Sequence, residues 1–223
     1  ATVGAWYPIT PSTGVMDAFT SYCERFRVDP ETGDRNYMII QAEDELAAAG
    51  MVIGANWVGA RAFTPTSGPG ISLMSEFLGF GYFAEIPAVL FDVQRAGPST
   101  GLPTKSEQSD LNIALYGFHG DAPHLVLGAL SIRDAVFTTE WAVRLAEHLQ
   151  TVAIVLSDQS LGQSRAVVDS PPQLDLALEQ LLLALHADVL ARGHAEGTGQ
   201  QTGHAGEHDD LVLGRGSGKA HDQ

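Results

Sequence analysis

The stretch Ala62–Val93, "AFTPTSGPGISLMSEFLGFGYFAEIPAVLFDV", decides the fold. Ala62 to Thr66 reads as a strand, "TSGPG" as a tight turn, and Ile71 to Phe83 as a helix. "IPAVLFDV" is then apolar almost throughout, as strands buried on both faces are. Strand, helix and a second, fully buried strand in that order make a parallel crossover unit.

The same alternation extends in both directions. Upstream, Val3 to Ile9 reads as a strand broken by "TPSTG", and Met16 to Phe26 as a helix. Tyr37 to Gln41 is a short apolar run, followed by a small-residue helix from about Asp44 to Ala60. Downstream come a long loop, "QRAGPSTGLPTKSEQSD", a helix near Leu111 to Phe118 and a strand in "PHLVLGAL". A helix over Val136 to Leu149 and a strand in "TVAIVLSD" complete the pattern. The expected fold is therefore α/β: a parallel sheet of about six strands, with right-handed crossovers and helices on both faces. In such sheets the functional crevice lies beyond the carboxyl ends of the strands. The loops "YPITPST", "QAEDE", "TSGPG" and "DVQRAGPST" each follow a strand and converge there.

This domain is expected over residues 1–165. Residues 166–193 place Leu174, Leu178, Leu181, Leu182, Leu185 and Val189 at helical spacing, an amphipathic C-terminal helix. Residues 194–223, rich in Gly and polar side chains, read as a disordered tail.

The 27 acids against 12 bases give a formal charge of −15. Nucleic acids and anionic lipids reward Lys/Arg patches, so neither is an expected partner. No run approaches the roughly 20 apolar residues of a membrane helix. Cys23 is the single cysteine, which excludes an intrachain disulfide and suits a reducing cytoplasm. It also excludes an iron–sulfur cluster held by this chain alone, since a cluster takes about four thiolates.

The dinucleotide fingerprint and the P-loop are both absent. In "TSGPGISL", Gly68 and Gly70 stand at a helix N-terminus, which suits either an anion or a tight turn that packs helix on sheet. "IIQAEDELAAAG", Ile39–Gly50, brings three acids to a strand–helix junction. Glu43 and Asp44 would complement the helix dipole. Glu45, in the first turn, could sit partly desolvated on the crevice floor, the setting of a proton-handling group. Spacing alone does not choose among the three. Arg95 ends an apolar strand with few other bases nearby, and a buried guanidinium needs an anionic partner. That partner is either Asp92 or Glu85, or a ligand carboxylate held by two parallel hydrogen bonds.

Five motifs in order, "WYPITPST", "IQAEDELAAAGMVIGA", "RAFTPTSGPGISLM", "AEIPAVLFDVQRAGPSTGLPTKSEQSDL" and "HGDAPH", resemble the alpha chain of 2-oxoacid:ferredoxin oxidoreductases, most of all the 2-oxoglutarate type. The resembling region is their thiamine-diphosphate pyrimidine-binding domain. The resemblance implies that Glu45 contacts the aminopyrimidine ring nitrogen and that Thr66, Ser67 and Gly68 line the cofactor. It implies that Thr10 and Arg95 contact the 2-oxoacid, with Lys105 toward a second carboxylate. The implied activity is oxidative decarboxylation to an acyl-coenzyme A, with electrons passed to ferredoxin. Thiamine diphosphate would be shared with a beta-type, diphosphate-binding partner that carries Mg²⁺ and the iron–sulfur cluster. Two other readings remain: a truncated, non-catalytic assembly subunit of such a complex, or a thiamine-dependent decarboxylase or ligase without ferredoxin. Pro65 and Ala96 depart from the family pattern, and Ala96 is expected to crowd a turn that glycine relaxes.

Overall fold

Strands and helices alternate through residues 1–168, the part of the chain that the computed structural model describes. In order they are β1 (Val3–Trp6), α1 (Thr13–Phe26), β2 (Met38–Gln41), α2 (Glu45–Trp57), β3 (Ala62–Thr66) and α3 (Pro69–Phe83). Then follow β4 (Ala88–Gln94), α4 (Asp110–Tyr116), β5 (Leu125–Gly128), α5 (Ile132–Leu149), β6 (Val152–Asp158) and α6 (Gln159–Gln163). The strands form one parallel sheet in the order β2-β1-β3-β4-β6-β5.

One handedness of crossover explains which face each helix takes. The chain steps one way from β1 to β2, so α1 lies on one face. It then steps the other way through β3 and β4 to the far edge, which puts α2, α3 and α4 on the opposite face. The return from β5 to β6 brings α5 back beside α1. The two cores follow this division. Ala48, Val52, Ile53, Ile71, Met74 and Leu78 pack with Leu90 and Ile154 on the α2–α3 side. Met16, Ala142 and Ala146 pack with Phe63, Val89 and Val155 on the other. Both faces of β4 and β6 are thus covered, which is why their sequences show no polar alternation. Leu90 and Ile154 are fully buried, each contributing about 1.5–3 kcal/mol relative to exposure.

Pairing between β1 and β3 stops early, at Val3↔Ala62 and Gly4↔Phe63. Pro65 therefore lies past the last rung on that side, and its missing N–H breaks no β1 ladder. The early stop also leaves a gap between the carboxyl ends of β1 and β3, beside the point where strand order reverses.

Some boundaries differ from the sequence expectation. α5 begins at Ile132, not Val136, because Ser131 caps it: its hydroxyl accepts the Asp134 N–H at 3.1 Å, while Asp134 accepts the Leu130 N–H at 2.8 Å. α3 begins at Pro69, a residue that costs nothing where the N–H has no helical partner. α2 stops at Trp57, ahead of Gly59 at φ +89. α6 was not anticipated. Among the described residues, no helix is long and apolar enough to cross a membrane. The helix expected over 166–193 and the tail over 194–223 lie outside the described residues, apart from 166–168, which are irregular.

Candidate active-site crevice

The three acids after β2 have different fates. Glu43 and Asp44 are exposed, and Asp44 caps α2 by accepting the Ala47 N–H at 2.7 Å. Glu45 is only 6% exposed. It begins the buried stripe of α2, followed by Ala48, Ala49, Val52 and Ile53 at helical spacing. The face that packs on the sheet therefore carries its carboxyl inward.

Glu45 meets the turn after β3. Thr66 and Ser67 are fully buried, and the Ser67 hydroxyl donates to the Val93 carbonyl at 2.6 Å. The Thr66 hydroxyl has no partner. A Cβ on Gly70 would collide with Thr66 Oγ1 and come within 3.0 Å of Glu45 Cγ and 3.3 Å of its Oε1. Gly70 is thus the contact point of Glu45, Thr66 and the first turn of α3. Gly68 has φ +55, and a Cβ there would press on Arg95 Cγ and Nε at 3.0 Å. It lets the arginine lie flat against the turn.

Arg95, the residue after β4, is 5% exposed. Its Nη1 donates to the Thr10 carbonyl oxygen at 2.6 Å, across the gap between β1 and β3. Its Nε is buried without a partner. The alternative pairing with Asp92 or Glu85 is not what holds it. The ion pairs found among the described residues are Arg61–Glu147 and Arg144–Glu140, and Glu85 is exposed before the start of β4. Thr10 is exposed and meets Arg95 through its backbone oxygen.

The loop after Arg95 folds back on itself. The Ala96 N–H donates to the Lys105 carbonyl at 2.8 Å and the Leu102 N–H to the Ala96 carbonyl at 3.0 Å. The Lys105 side chain is exposed. Ala96 does not crowd the turn, since its φ is not positive. The residue that must be glycine is Gly101, at φ +49, where a Cβ would strike the Ala96 carbonyl.

Two further residues belong to the crevice floor: Asp92, which the sequence offers only as a partner for Arg95, and Asp110, which it does not single out. Asp92 and Asp110 are 0% and 3% exposed. Burial lifts the Asp92 carboxyl well above its ordinary range, and the neighbouring Asp110 adds to this; the Gly68 N–H and Arg95 act the other way. Burial likewise raises Asp110, opposed by the Arg95 N–H. The available signal was an acid alone in the apolar run "AVLFDVQ", where a charge without a purpose is costly.

His119 and His124 precede β5, at the amino end of the sheet. The His124 ring nitrogens lie 2.8 and 2.6 Å from the Ala122 and Ala114 carbonyl oxygens, and the ring stacks on Phe118 at 4.2 Å, a structural role. An apolar groove of about 860 Å³ on the α1–α5 face, lined by Phe19, Val89, Phe91 and Val143, reaches Thr10 but includes neither Glu45 nor Arg95.

Fold and crevice together define a class. Residues 1–196 match the family described as "pyruvate flavodoxin/ferredoxin oxidoreductase, thiamine diP-bdg", and the chain belongs to it. Among curated relatives, 2-oxoglutarate synthase subunit KorA of Archaeoglobus fulgidus is 44% identical over 168 residues, covering 75% of this chain and 46% of the relative. The alpha subunit of 2-oxoacid:ferredoxin oxidoreductase 1 of Sulfurisphaera tokodaii is 41% identical over 180 residues, covering 79% of this chain and 28% of the relative. A solved structure of 2-oxoglutarate:ferredoxin oxidoreductase from Magnetococcus marinus, with 2-oxoglutarate, coenzyme A and succinyl-CoA bound, superposes with a TM-score of 0.65 at 45% identity. That likeness covers 72% of this chain and 27% of the other. The chain thus spans less than half the length of these relatives.

Proposed function

We propose that this chain is the pyrimidine-binding part of an alpha-type subunit of a 2-oxoacid:ferredoxin oxidoreductase that acts on 2-oxoglutarate. The observation that carries this reading is the buried Glu45 carboxyl beside the unpartnered Thr66 hydroxyl, with the unpartnered Arg95 Nε across Gly68. Buried polar groups without partners call for an explanation, and at this crevice a ligand's donors and acceptors supply one. Here a carboxyl and a hydroxyl suit a polar ring edge, and a guanidinium suits a carboxylate. The residues present therefore fit the pyrimidine half of thiamine diphosphate, held by Glu45, Thr66, Ser67 and Gly68. When bound, that cofactor supplies the nucleophilic carbon and the electron sink for loss of carbon dioxide.

The chain's own residues bind, orient and hold a proton. Glu45 would direct its carboxyl to the ring nitrogen, in a position 6% exposed where little water competes. Arg95 grips the substrate carboxylate as a planar fork. Thr10 borders the same space, and Lys105, exposed on the loop after Arg95, is assigned to a second carboxylate. Cys23, buried and free, is one thiol where a cluster takes about four, and the proposed assignment of the iron–sulfur cluster is to a beta-type partner, together with Mg²⁺ and the diphosphate contacts. In the complete complex coenzyme A would take the acyl group and ferredoxin the two electrons, one at a time.

Glu45→Gln in the complex reconstituted with the beta-type partner is expected to cut turnover by roughly 10²-fold or more, the scale of a lost proton-transfer group. Initial rates with 2-oxoglutarate, coenzyme A and ferredoxin measure it. Near-native turnover would remove Glu45 from the reaction.

A further inference from the structure

We propose that Asp110, backed by Asp92, is a positioning residue for Arg95: it fixes the Arg95 peptide so that the guanidinium fork stays directed at the ligand carboxylate. This rests on the functional reading above and assigns that site a second, deeper layer.

Arg95 is the first residue past β4, whose ladder with β6 ends at Gln94↔Asp158. Its N–H and carbonyl are buried and must find partners elsewhere. Both partners come from consecutive residues at the start of α4. The Arg95 N–H donates to Asp110 Oδ2 at 3.2 Å, and its carbonyl oxygen accepts from the Ser109 hydroxyl at 3.3 Å. The loop between is closed by the Ala96–Lys105 hydrogen bond, so the peptide is gripped from a fixed base.

The same geometry keeps the fork available. Asp110 directs an oxygen at the backbone N–H, and the recorded guanidinium bond goes to the Thr10 carbonyl. Nε is left without a partner, pressed against Gly68. A carboxylate bonded to the fork itself would compete with the substrate.

Asp92 accounts for why Asp110 stays in place. No hydrogen bond of good geometry reaches either Asp92 oxygen. The groups facing it are Asp110 from α4, Arg95 from the strand end and the Gly68 N–H from the turn before α3. Two adjoining buried carboxyls do not both ionise. With Asp92 as the protonated member of the pair, its O–H can turn toward Asp110 and leave Asp110 Oδ2 to accept the Arg95 N–H.

The test uses Asp110→Ala and Asp110→Asn in the full chain with its partner subunit. Ala removes the acceptor, whereas Asn restores an acceptor oxygen without the charge. The expected result is a KM for 2-oxoglutarate raised about tenfold in Asp110→Ala, the effect of one such hydrogen bond. The KM values for coenzyme A and thiamine diphosphate should stay within about twofold, and Asp110→Asn should recover most of the loss. An unchanged 2-oxoglutarate KM, or equal rises in all three constants, overturns the proposal.

A second readout does not depend on the substrate assignment. In the full chain, amide hydrogen exchange at Arg95 should quicken about tenfold in Asp110→Ala and return in Asp110→Asn, while Leu90 and Val93 hold steady. Exchange at Arg95 that follows the strand residues overturns the positioning role. If wild type turns over no 2-oxoacid while the exchange result holds, the functional reading fails and the positioning of Arg95 stands.

Discussion

At Arg95 the difference between carrying a charge and presenting a shape becomes measurable. Lysine keeps the charge but not the planar pair of donors, so Arg95→Lys should raise the 2-oxoglutarate KM by about tenfold or more while leaving thiamine diphosphate affinity intact. Substrate-dependence curves for both ligands check this, and coincident 2-oxoglutarate curves would argue against a clamp. Asp92 makes the complementary case. Burial keeps its proton on in the folded chain at pH values where an unfolded aspartate, near about 3.9, has released it. The folded form then binds more protons, so stability is full below the unfolded value and declines as pH climbs through the raised folded value. Asp92→Asn cannot ionise, and the melting temperature of the variant relative to wild type should increase between about pH 4 and pH 8. A difference that stays flat across that range would place the carboxyl in contact with solvent.

At the scale of elements, the start of α3 opposes two ordinary rules. Alanine is preferred to glycine inside a helix by about 0.5–1 kcal/mol. At Gly79, where an added Cβ meets nothing within 4 Å, that preference should prevail and Gly79→Ala should raise the melting temperature. At Gly70 the added carbon strikes Thr66 and crowds Glu45, an overpacking penalty of about 1–3 kcal/mol that outweighs propensity. Gly70→Ala should therefore lower the melting temperature and weaken cofactor binding, and thermal denaturation of the two variants side by side decides it. These elements were legible to different degrees. β4 and β6 showed as apolar runs because both faces are buried, and α2 showed as a small-residue stretch. The start of α5 was missed although Ser131 and Asp134 spell a cap, because the apolar periodicity begins later. Glu45 was legible as one of three acids, and its burial stripe separates it from the other two only once the helix phase is known. Asp92 and Asp110 could not be joined from sequence, since the loop that brings them together is defined by backbone bonds such as Ala96–Lys105.

For the molecule as a whole, the sheet is two wings of unequal firmness. β4 and β6 share a ladder from Ala88↔Val152 to Gln94↔Asp158. β1, whose following loop carries Thr10, pairs with β3 only at Val3↔Ala62 and Gly4↔Phe63, helped by the Thr2 and Val3 N–H groups on the Arg61 carbonyl and by the packing of α1 and α2. The bond from Arg95 to Thr10 is a single stitch beyond the end of that seam. An occupant touching both sides would act as the rungs that the sheet does not itself supply, so occupancy should tighten the fabric on one flank only. Amide exchange in Val3–Trp6 should slow when cofactor and substrate bind in the complex, and that in Ala88–Gln94 should barely change. Under the proposed function, the opening that would take the ligand is also the join with the fewest rungs, and filling it would mend the sheet.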